Sequence, residues 1–407
     1  GATGLIGTLG LKFTNFAIQN LFNPESYRIV PQGEGQTFSI NARTNGVYYT
    51  SASMSFLEPW LGGKRPNSLS ANIFFASQTG YSDRYYQAYQ NLYNTYYNYY
   101  AYSGNSNYLQ QLQESEADPD KYLRTFGVSI GYGKRLSWPD DYFSFYGELS
   151  YQMYMMKDWP YMILTDGMSH NLALNLQISR SSIDNPIYTR RGSQFTLGLK
   201  ITPPYSLIKG TTDAQYAQMT NSEKYNLLEY HKWRFSGKVF TPLSADSKLV
   251  LMARAEFGYL GHYNKNAKSP FESFYMGGDG MSSYSSYSTE YVAMRGYQSG
   301  SLTPYDPATG RNMGYVYNKF TMELRYPIAL EQNATIWALA FVEAGNCFAD
   351  IKDYNPFNLK RSAGVGVRLF LPMFGLMGID WGWGFDPING SNSYGGSQFH
   401  FVLGQEL

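Results

Sequence analysis

Residues 142–156 read Tyr-Phe-Ser-Phe-Tyr-Gly-Glu-Leu-Ser-Tyr-Gln-Met-Tyr-Met-Met, and the expected fold class follows from this stretch. Apolar and mostly polar side chains alternate along it with a period of two. That period places one kind of side chain on each face of an extended strand. The apolar set is Phe143, Phe145, Leu149, Tyr151, Met153 and Met155. The stretch therefore predicts a β-strand with one apolar and one mostly polar face.

The same alternation recurs along the whole chain and predicts an all-β protein. It is clearest in residues 124–132, 171–178 and 193–201. Many of the predicted strands have the roughly 9–11 residues that a tilted membrane-spanning strand needs. About fifteen strands are expected, over residues 4–14, 36–45, 47–58, 67–79, 122–136, 142–156, 169–180, 193–202, 229–241, 247–260, 315–328, 334–346, 361–371, 376–386 and 397–405.

Charged residues in mid-strand favour a membrane barrel over a soluble β-sandwich. They lie on the polar faces, where a barrel would let them face a wet lumen. A propeller is disfavoured because no repeat with the period of a propeller blade is present. The mid-strand charges are Glu148, Arg254, Glu256, Glu323 and Arg368.

The connections between strands point to the same architecture. Long connections at 80–121, 203–228 and 261–314 fall on one side of the strand order, and the Tyr-rich segment 80–121 is the most unusual in composition. Short ones such as 137–141 fall on the other side, with 15–35 as a long exception. Long extracellular loops and short periplasmic turns are typical of a transmembrane antiparallel up-and-down β-barrel.

Composition narrows the function classes. The chain has 407 residues, 17% of them aromatic and 15% charged, with a net charge of +1, so a nucleic-acid partner is not expected. Cys347 is the one cysteine, which excludes an internal disulfide. His170, His231, His262 and His400 have no metal-ligand spacing and are interpreted as chance polar positions. No metal or cofactor is expected.

Several motifs in the last third of the chain occur in a fixed order. Together they resemble the barrel domain of the BamA superfamily, with departures at Glu343, where the family has aspartate, and at Leu407, where it has a terminal aromatic residue. The motifs are Phe274-Tyr275-Met276-Gly277-Gly278, Met294-Arg295-Gly296-Tyr297, Met322-Glu323-Leu324-Arg325-Tyr326-Pro327, Phe341-Val342-Glu343-Ala344-Gly345-Asn346, Ser362-Ala363-Gly364-Val365-Gly366-Val367-Arg368 and Gln398-Phe399-His400-Phe401-Val402-Leu403-Gly404-Gln405.

This resemblance implies a domain organisation. Residues 1–407 would form a single transmembrane barrel domain of a protein with 16 strands. The first strand and the periplasmic POTRA domains would lie upstream of residue 1. Residues 261–314 would be loop six, which in the family folds back into the barrel lumen.

The resemblance also implies a loop-six motif, formed here by Arg295, Gly296 and Tyr297. In the family the arginine meets acidic residues of the inner wall. We expect Glu343 to be the first partner of Arg295, with Glu323 and Asp380 as further partners, because a guanidinium can bind carboxylates bidentately.

The implied function is a protein insertase of the Gram-negative outer membrane, which folds and inserts other β-barrels through a weak lateral seam. The seam would lie beside the closing strand, 397–405, where glycine weakens strand pairing. The implied partners are unfolded outer-membrane proteins, accessory subunits of an assembly machinery, lipopolysaccharide and the lipid bilayer. The expected seam residues are Gly396, Phe399, Phe401, Leu403 and Gly404.

Other functions remain open from the sequence. A polypeptide-secretion pore of the same superfamily is the nearest alternative, and a passive porin or a receptor barrel is another. An enzyme is not expected, because no motif arranges a nucleophile, a base and an orienting acid.

Overall fold

The computed structural model describes residues 7–46, 48–63, 67–81, 117–159, 162–279, 289–306, 310–331 and 333–403. The chain forms two compact units. The first comprises Gly1–Tyr132, Leu149–Leu172 and Ala214–Leu228, and the second comprises Gly133–Glu148, Ala173–Asp213 and Glu229–Leu407.

Nineteen strands occur among these residues, fifteen of which belong to one sheet. The fifteen are β1 Gly7–Phe16, β2 Gln36–Thr44, β3 Tyr49–Glu58, β4 Asn67–Tyr81, β5 Ala117–Arg135, β6 Phe143–Lys157, β7 Gly167–Ser181, β8 Gly192–Ile201, β9 His231–Pro242, β10 Val250–Gly261, β15 Val316–Leu330, β16 Thr335–Phe348, β17 Lys360–Leu371, β18 Gly375–Pro387 and β19 Tyr394–Leu403. Four short strands lie between β10 and β15: β11 Phe274–Met276, β12 Glu290–Val292, β13 Tyr305–Asp306 and β14 Arg311–Asn312.

In the described ranges, helical structure is confined to connections. Between β8 and β9 lie α1 Tyr205–Lys209, α2 Asp213–Gln218 and α3 Asn221–Lys224. Short 3-10 turns occur at Ile18–Asn20, Pro24–Ser26, Lys265–Ala267 and Ile351–Asp353. Among the residues that the structure describes, no helix is long and apolar enough to cross a membrane.

The sheet follows sequence order, with β10 beside β15, as expected for an up-and-down topology. The all-β prediction is confirmed, and each predicted strand span overlaps one of the fifteen strands. The ends differ by a few residues. The largest change is at β5, which begins at Ala117, whereas the sequence pattern had predicted residue 122. The predicted loop 80–121 is shorter than expected for this reason, and its Tyr-rich part lies outside the described residues.

In the first unit, β1 to β4 pair as antiparallel neighbours, with Leu11 opposite Ile40 and Met54 opposite Ile73. The 15–35 connection, the long exception on the short-turn side, folds on itself here. The Ala17 N–H donates to the Pro31 carbonyl at 3.0 Å, and the Asn23 side chain accepts from Glu25 N–H.

In the second unit, the two faces of the sheet differ sharply. Along β15, Phe320, Met322 and Leu324 are exposed, whereas charged residues that alternate with them, including Lys319 and Glu323, are buried. Exposed apolar side chains on one face suit contact with lipid, because a membrane barrel turns that face outward.

The expectation of a wet polar face is wrong at several positions. Glu323, Arg368 and Arg254 are buried, whereas Glu148 and Glu256 keep partial exposure. For Glu323 and Arg368 the reason is the described part of the connection 262–315: its Arg295 binds Glu323 and also Asp380, the partner of Arg368. Buried charges require partners, and the partners of these two residues belong to the site described next.

Candidate functional site

The connection between β10 and β15, residues 262–315, carries the predicted loop-six motif. Its boundaries agree with the expected 261–314 to within a residue. β11 and β12 pair in parallel near its middle. The Met294 N–H donates to the Gly278 carbonyl at 2.9 Å, and the Gly278 N–H donates to the Met294 and Tyr297 carbonyls at 3.1 and 3.0 Å. These bonds fix the backbone on both sides of Arg295.

Arg295 is fully buried and contacts all three carboxylates named from the sequence. Its Nη2 lies 2.7 Å from Glu323 Oε1 and 2.8 Å from Glu343 Oε1, and its Nη1 lies 3.1 Å from Asp380 Oδ2. Glu323, Glu343 and Asp380 lie on β15, β16 and β18, so one side chain joins three strands of the sheet. The arrangement uses the planar fork of the guanidinium, which a lysine could not reproduce.

Glu343 makes the most extensive contact with Arg295. Its Oε1 accepts from Arg295 Nε at 3.1 Å as well as from Nη2, and its Oε2 accepts from the Arg295 backbone N–H at 2.9 Å. Lys319 Nζ lies 3.2 Å and Thr321 Oγ1 3.3 Å from the same Oε1. The glutamate therefore fixes both the side chain and the backbone of Arg295.

Two further arginines hold the other two carboxylates. Arg325 donates to Glu323 through Nη2 at 2.6 Å and Nε at 2.9 Å, and Arg368 binds Asp380 bidentately at 2.6 and 2.7 Å. Four cations, counting Arg295 and Lys319, thus share three carboxylates, which leaves a net charge of 4 − 3 = +1.

The surroundings of Arg295 keep it charged. Burial opposes its charge, but Glu343, Glu323 and Asp380 raise the pKa of the guanidinium above its ordinary value. Its Cζ also lies 3.6 Å from the centre of the Phe341 ring, which gives a cation–π contact. The loop is therefore held by charge, hydrogen bonds and packing at one residue.

Residues Arg295, Gly296 and Tyr297 form the loop tip. Gly296 allows this tip to lie directly on the backbone of β18 and β19. Its φ of +83° favours glycine, and an added Cβ would lie 2.8 Å from Gly384 N and 2.9 Å from Ser362 Cβ. Gly384 and Gly395 are glycines on the opposing surface, and a Cβ on either would collide with the Gly296 carbonyl oxygen. Glycine therefore faces glycine across this contact.

Tyr297 completes the motif and is fully buried. Its hydroxyl donates to the Arg361 carbonyl at 2.8 Å and accepts from the Asp386 N–H at 3.3 Å. Burial raises the pKa of the Tyr297 hydroxyl to about 12, so it stays neutral and can donate.

His400 contacts the loop tip, which the sequence analysis did not predict. The Gly296 N–H donates to His400 Nε2 at 2.8 Å, and His400 lies opposite Asp380 in the β18–β19 register. Its interpretation as a chance polar position is wrong, because its side chain joins the loop tip to the last strand. The alternation in β19 could have suggested its inward position, since exposed Phe399 and Phe401 flank it.

The predicted seam residues lie on β19. Phe399, Phe401 and Leu403 are 65%, 56% and 60% exposed on one face, whereas His400 and Val402 are buried on the other. Gly396 has a φ of +68° beside a register shift in the β18–β19 pairing, a conformation that suits glycine. Gly404 lies outside the described residues.

A second set of ion pairs holds the base of the same loop. The carboxylate of Glu272 binds Lys200 on β8 and lies 3.1 Å from Lys232 on β9. Lys232 also lies 2.8 Å from Glu290. Burial opposes ionisation of Glu272, but the two ammonium groups hold the pKa of its carboxyl below its ordinary value. Sequence reasoning missed this anchor because no motif marks it.

The site consists of buried ion pairs and backbone contacts that hold the loop in place. Within the described ranges, no group of three or more His, Cys, Asp or Glu side chains could hold a metal ion. Every charged group around Arg295 that is described above is bound to another protein group. The arrangement can hold the loop against β15–β19 and can release it if these bonds break.

The family model of the Omp85 superfamily domain matches residues 32–407. No curated protein matches the chain by sequence.

Solved structures that are similar in fold include the following two. The structure of BamA from Haemophilus ducreyi lacking POTRA domains 1–3 matches with a TM-score of 0.61 at 17% identity, over 98% of this chain and 67% of that one. CdiB from Escherichia coli matches with a TM-score of 0.53 at 9% identity, over 97% of this chain and 58% of that one. At these identities the likeness concerns the fold, which is that of a transmembrane β-barrel.

Proposed function

This chain belongs to the Omp85 superfamily, and we propose that it is an insertase that folds other β-barrel proteins into the outer membrane of a Gram-negative bacterium. Its partners in this proposal are unfolded outer-membrane proteins, accessory assembly subunits, lipopolysaccharide and the bilayer. The observation that carries the proposal is the contact of Arg295 with Glu323, Glu343 and Asp380. That contact fixes a long loop beside the last strand of the sheet.

The role of this contact is to hold the loop beside β19, while β19 must remain able to separate at the seam. An insertase offers a strand edge on which a client strand can form backbone hydrogen bonds. β15, β16 and β18 are tied together through Arg295, whereas β19 is joined to the loop by the Gly296–His400 hydrogen bond. The loop thus stabilises β15, β16 and β18 beside β19, the strand where the seam would open.

Two features of β19 favour opening. Gly395 and Gly396 lie at its start, and glycine weakens strand pairing. Phe399, Phe401 and Leu403 form a short apolar band on its exposed face. A short apolar band favours a thinner bilayer nearby, which lowers the barrier to inserting a new strand.

We further propose that the protein breaks no covalent bonds in its substrates. The central feature of its chemistry in this proposal is the exchange of hydrogen bonds between strands. The charged groups that surround Arg295 serve to hold the loop, and nothing in their arrangement leaves a nucleophile beside a free base.

Substitution of Arg295 tests the proposal. We expect Arg295→Ala, in protein reconstituted into liposomes, to slow the folding of an unfolded eight-stranded client by at least about tenfold. A tenfold loss corresponds to about 1.4 kcal/mol, well within the ~3–5 kcal/mol of a broken buried ion pair. Arg295→Lys should recover little activity, because an ammonium group cannot bind three carboxylates in one plane.

The control is Arg190→Ala, an arginine in the connection between β7 and β8 whose backbone N–H donates to Asp184. That bond survives truncation of the side chain, so client folding should match the wild type. Unchanged client folding in Arg295→Ala, with the barrel folded, would contradict the proposal.

Electrical recording separates an insertase from a pore. A barrel sealed by loop six should give small, irregular conductance in a planar bilayer, and Arg295→Ala should increase it. Large and steady openings in the wild type would favour a passive porin. Export of a co-expressed partner polypeptide without any client folding would favour a secretion pore.

A further inference from the structure

The connection between β7 and β8, residues 182–191, folds into a fixed turn at the end of the strands opposite loop six. Asn185 Oδ1 accepts from the Ile187 and Tyr188 N–H groups at 2.8 and 3.1 Å, and Asp184 Oδ1 accepts from two N–H groups further along at 3.0 and 3.2 Å. Bonds from such short side chains to nearby backbone are typical of a tight turn. The turn exposes Ile187 and buries Tyr188.

The side chain of Tyr188 reaches across the sheet. Its hydroxyl donates to the Lys248 carbonyl in the connection between β9 and β10 at 3.0 Å, and its ring packs edge-on against Trp337 of β16, with the ring centres 5.7 Å apart. Because β9, β10 and β15 lie between β8 and β16, this contact spans three strands. Trp337 and Glu343 are an even number of residues apart, so both point to the same face of β16. Tyr188 therefore lies on the face that carries the Arg295 site.

Tyr188 belongs to a buried apolar cluster on that face. Along β16, the inward positions Trp337, Leu339 and Phe341 are apolar, and the next inward position is Glu343. The cluster therefore ends where the charged site begins. Its buried members are Tyr188, Phe240, Val250, Met252, Trp337, Leu339 and Phe341.

The far end of this cluster supports Arg295. The Arg295 Cζ lies 3.6 Å from the centre of the Phe341 ring, and Glu343, the next inward residue of β16, binds the same guanidinium. Tyr188 and Arg295 thus pack at opposite ends of one set of contacting side chains. Along β16, the distance from Trp337 to Glu343 is about 20 Å.

We propose that Tyr188 is a positioning residue for the loop tip: it holds the apolar cluster in the packing that keeps Phe341 beside Arg295 and directs Glu343 toward it. Protein interiors are close-packed, and a removed ring leaves a cavity that its neighbours fill only in part. The turn 182–191 thereby sets how firmly the loop tip is docked, from the opposite end of the strands. The inference goes beyond the proposed function, since it concerns coupling between two ends of the sheet and involves no client protein.

Hydrogen exchange at the loop tip tests this coupling in protein reconstituted into nanodiscs. Tyr188→Ala should accelerate exchange of the Arg295 amide, which donates to Glu343, by at least about fivefold. Tyr188→Phe keeps the ring and loses the bond to Lys248, which is exposed, so exchange should stay within about twofold of the wild type. Ile187→Ala is the matched control, because it truncates the exposed neighbour in the same turn and should leave exchange unchanged.

A general loss of stability would give a different result. It would accelerate amides in the middle of β3, elsewhere in the same sheet, as much as the Arg295 amide, whereas positioning affects the tip alone. Equal acceleration at both places, or wild-type exchange at Arg295 in Tyr188→Ala, would overturn the inference. If Tyr188→Ala lacks the heat-modifiable mobility of a folded barrel, the same outcomes are read from Tyr188→Leu, which leaves a smaller cavity.

A double variant shows whether the two residues act on one contact. Arg295→Ala has already lost the bonds to the three carboxylates, so adding Tyr188→Ala should accelerate protease cleavage of loop six by less than about twofold more. Effects that simply multiply would show that Tyr188 and Arg295 act independently, and would reject the coupling.

Coupling between two sites is reciprocal, so the turn should also respond to the tip. The Tyr188 N–H donates to Asn185 Oδ1, and Arg295→Ala should accelerate exchange of this amide by a factor similar to that seen at the tip in Tyr188→Ala. Wild-type exchange at Tyr188 in Arg295→Ala would contradict the inference, whether or not the protein folds any client.

Discussion

Arg295 has an unusual position for a charged residue, because it is fully buried and yet bound through all three of its side-chain nitrogens and its backbone N–H. Its side-chain nitrogens contact Glu323, Glu343 and Asp380, and its backbone N–H contacts Glu343 again. A buried charge is tolerated when such bonds replace its hydration. The contribution of this cluster to the free energy of unfolding depends on all its members. A substitution that removes a positive charge should therefore differ in effect from one that removes a negative charge.

The charge count predicts which substitution destabilises the fold more. Loss of Glu343 leaves four cations and two carboxylates, 4 − 2 = +2, whereas loss of Arg295 leaves 3 − 3 = 0. We expect Glu343→Ala to cost ~3–5 kcal/mol of unfolding free energy, and Arg295→Ala to cost less. Urea unfolding, monitored by the heat-modifiable mobility of the folded barrel in gel electrophoresis, measures the free energy of unfolding of both variants.

Glu331→Ala is the control for this series. Glu331 is exposed in the connection between β15 and β16, so its removal should change the unfolding free energy by less than about 0.5 kcal/mol. Equal costs for Glu343→Ala and Arg295→Ala would show that the net charge of the cluster does not govern its stability.

At the residue level, the resemblance to the BamA superfamily identified Arg295 and its three acidic neighbours, and the structure places these four side chains together. The resemblance did not identify Lys319, Arg325 or His400 as contacts of the site. These residues are spread over β15 and β19 and are brought together by strand register, which a single sequence does not reveal. A mid-strand charge was visible at Arg368, but its partner Asp380 depends on the β17–β18 pairing.

At the level of elements, the loop tip packs closely against β18 and β19 because the residues at the contact are glycines, which have no side chain. Gly296 lies on Gly384 and Gly395 with its carbonyl oxygen close to both. The fit is steric and carries no charge, so it can be disturbed without altering the ion pairs. β18 and β19 are therefore a docking surface as well as membrane strands.

Gly384→Ala should displace the loop tip. Its Cβ would collide with the Gly296 carbonyl oxygen, and we expect ~1–3 kcal/mol of destabilisation together with faster protease cleavage within loop six. Gly198→Ala is the matched control, because the nearest atom to a Cβ there is Arg234 Cβ at 4.0 Å. If both variants were cleaved at the wild-type rate, the glycine contact would have no role in docking.

Strand existence was predictable from sequence because alternation is a local property. The ends of strands were less so, as the early start of β5 at Ala117 illustrates. The dryness of the polar face was not predictable at all. It depends on where the connection 262–315 packs, and that placement involves contacts far apart in sequence, such as Arg295 with Asp380.

At the level of the whole molecule, loop six is held at two places within one compact unit. The tip is bound to β15, β16, β18 and β19, and the base is bound to β8 and β9 through Glu272. Two anchors restrict the loop more than either would alone. The base anchor should therefore affect loop motion without contacting β19.

The base anchor predicts a pH dependence. The pKa of Glu272 is lowered in the folded protein, so its contribution is complete above its ordinary pKa of 4.5 and is lost as the pH falls through the lower folded value. We expect cleavage of loop six by an acid-stable protease to rise as the pH falls from about 5 to about 3.

Glu272→Gln isolates this effect from other titrating groups. The variant lacks the charge at every pH, so it should be cleaved faster than the wild type near pH 5, and the difference should shrink as the pH falls through the lowered folded pKa of Glu272. A constant ratio between the two proteins across this range would exclude titration of Glu272 as the cause.

Amide hydrogen exchange at the loop tip tests the central claim most directly, namely that the tip of the connection 262–315 is fixed against the last strands of the sheet. The Arg295 and Gly296 N–H groups donate to Glu343 and His400, both buried. In the wild-type protein we expect these two amides to exchange as slowly as those in the middle of β16, and to become fast in Glu343→Ala. Exchange at the rate of the exposed residues of the 388–393 connection in the wild type would contradict the claim.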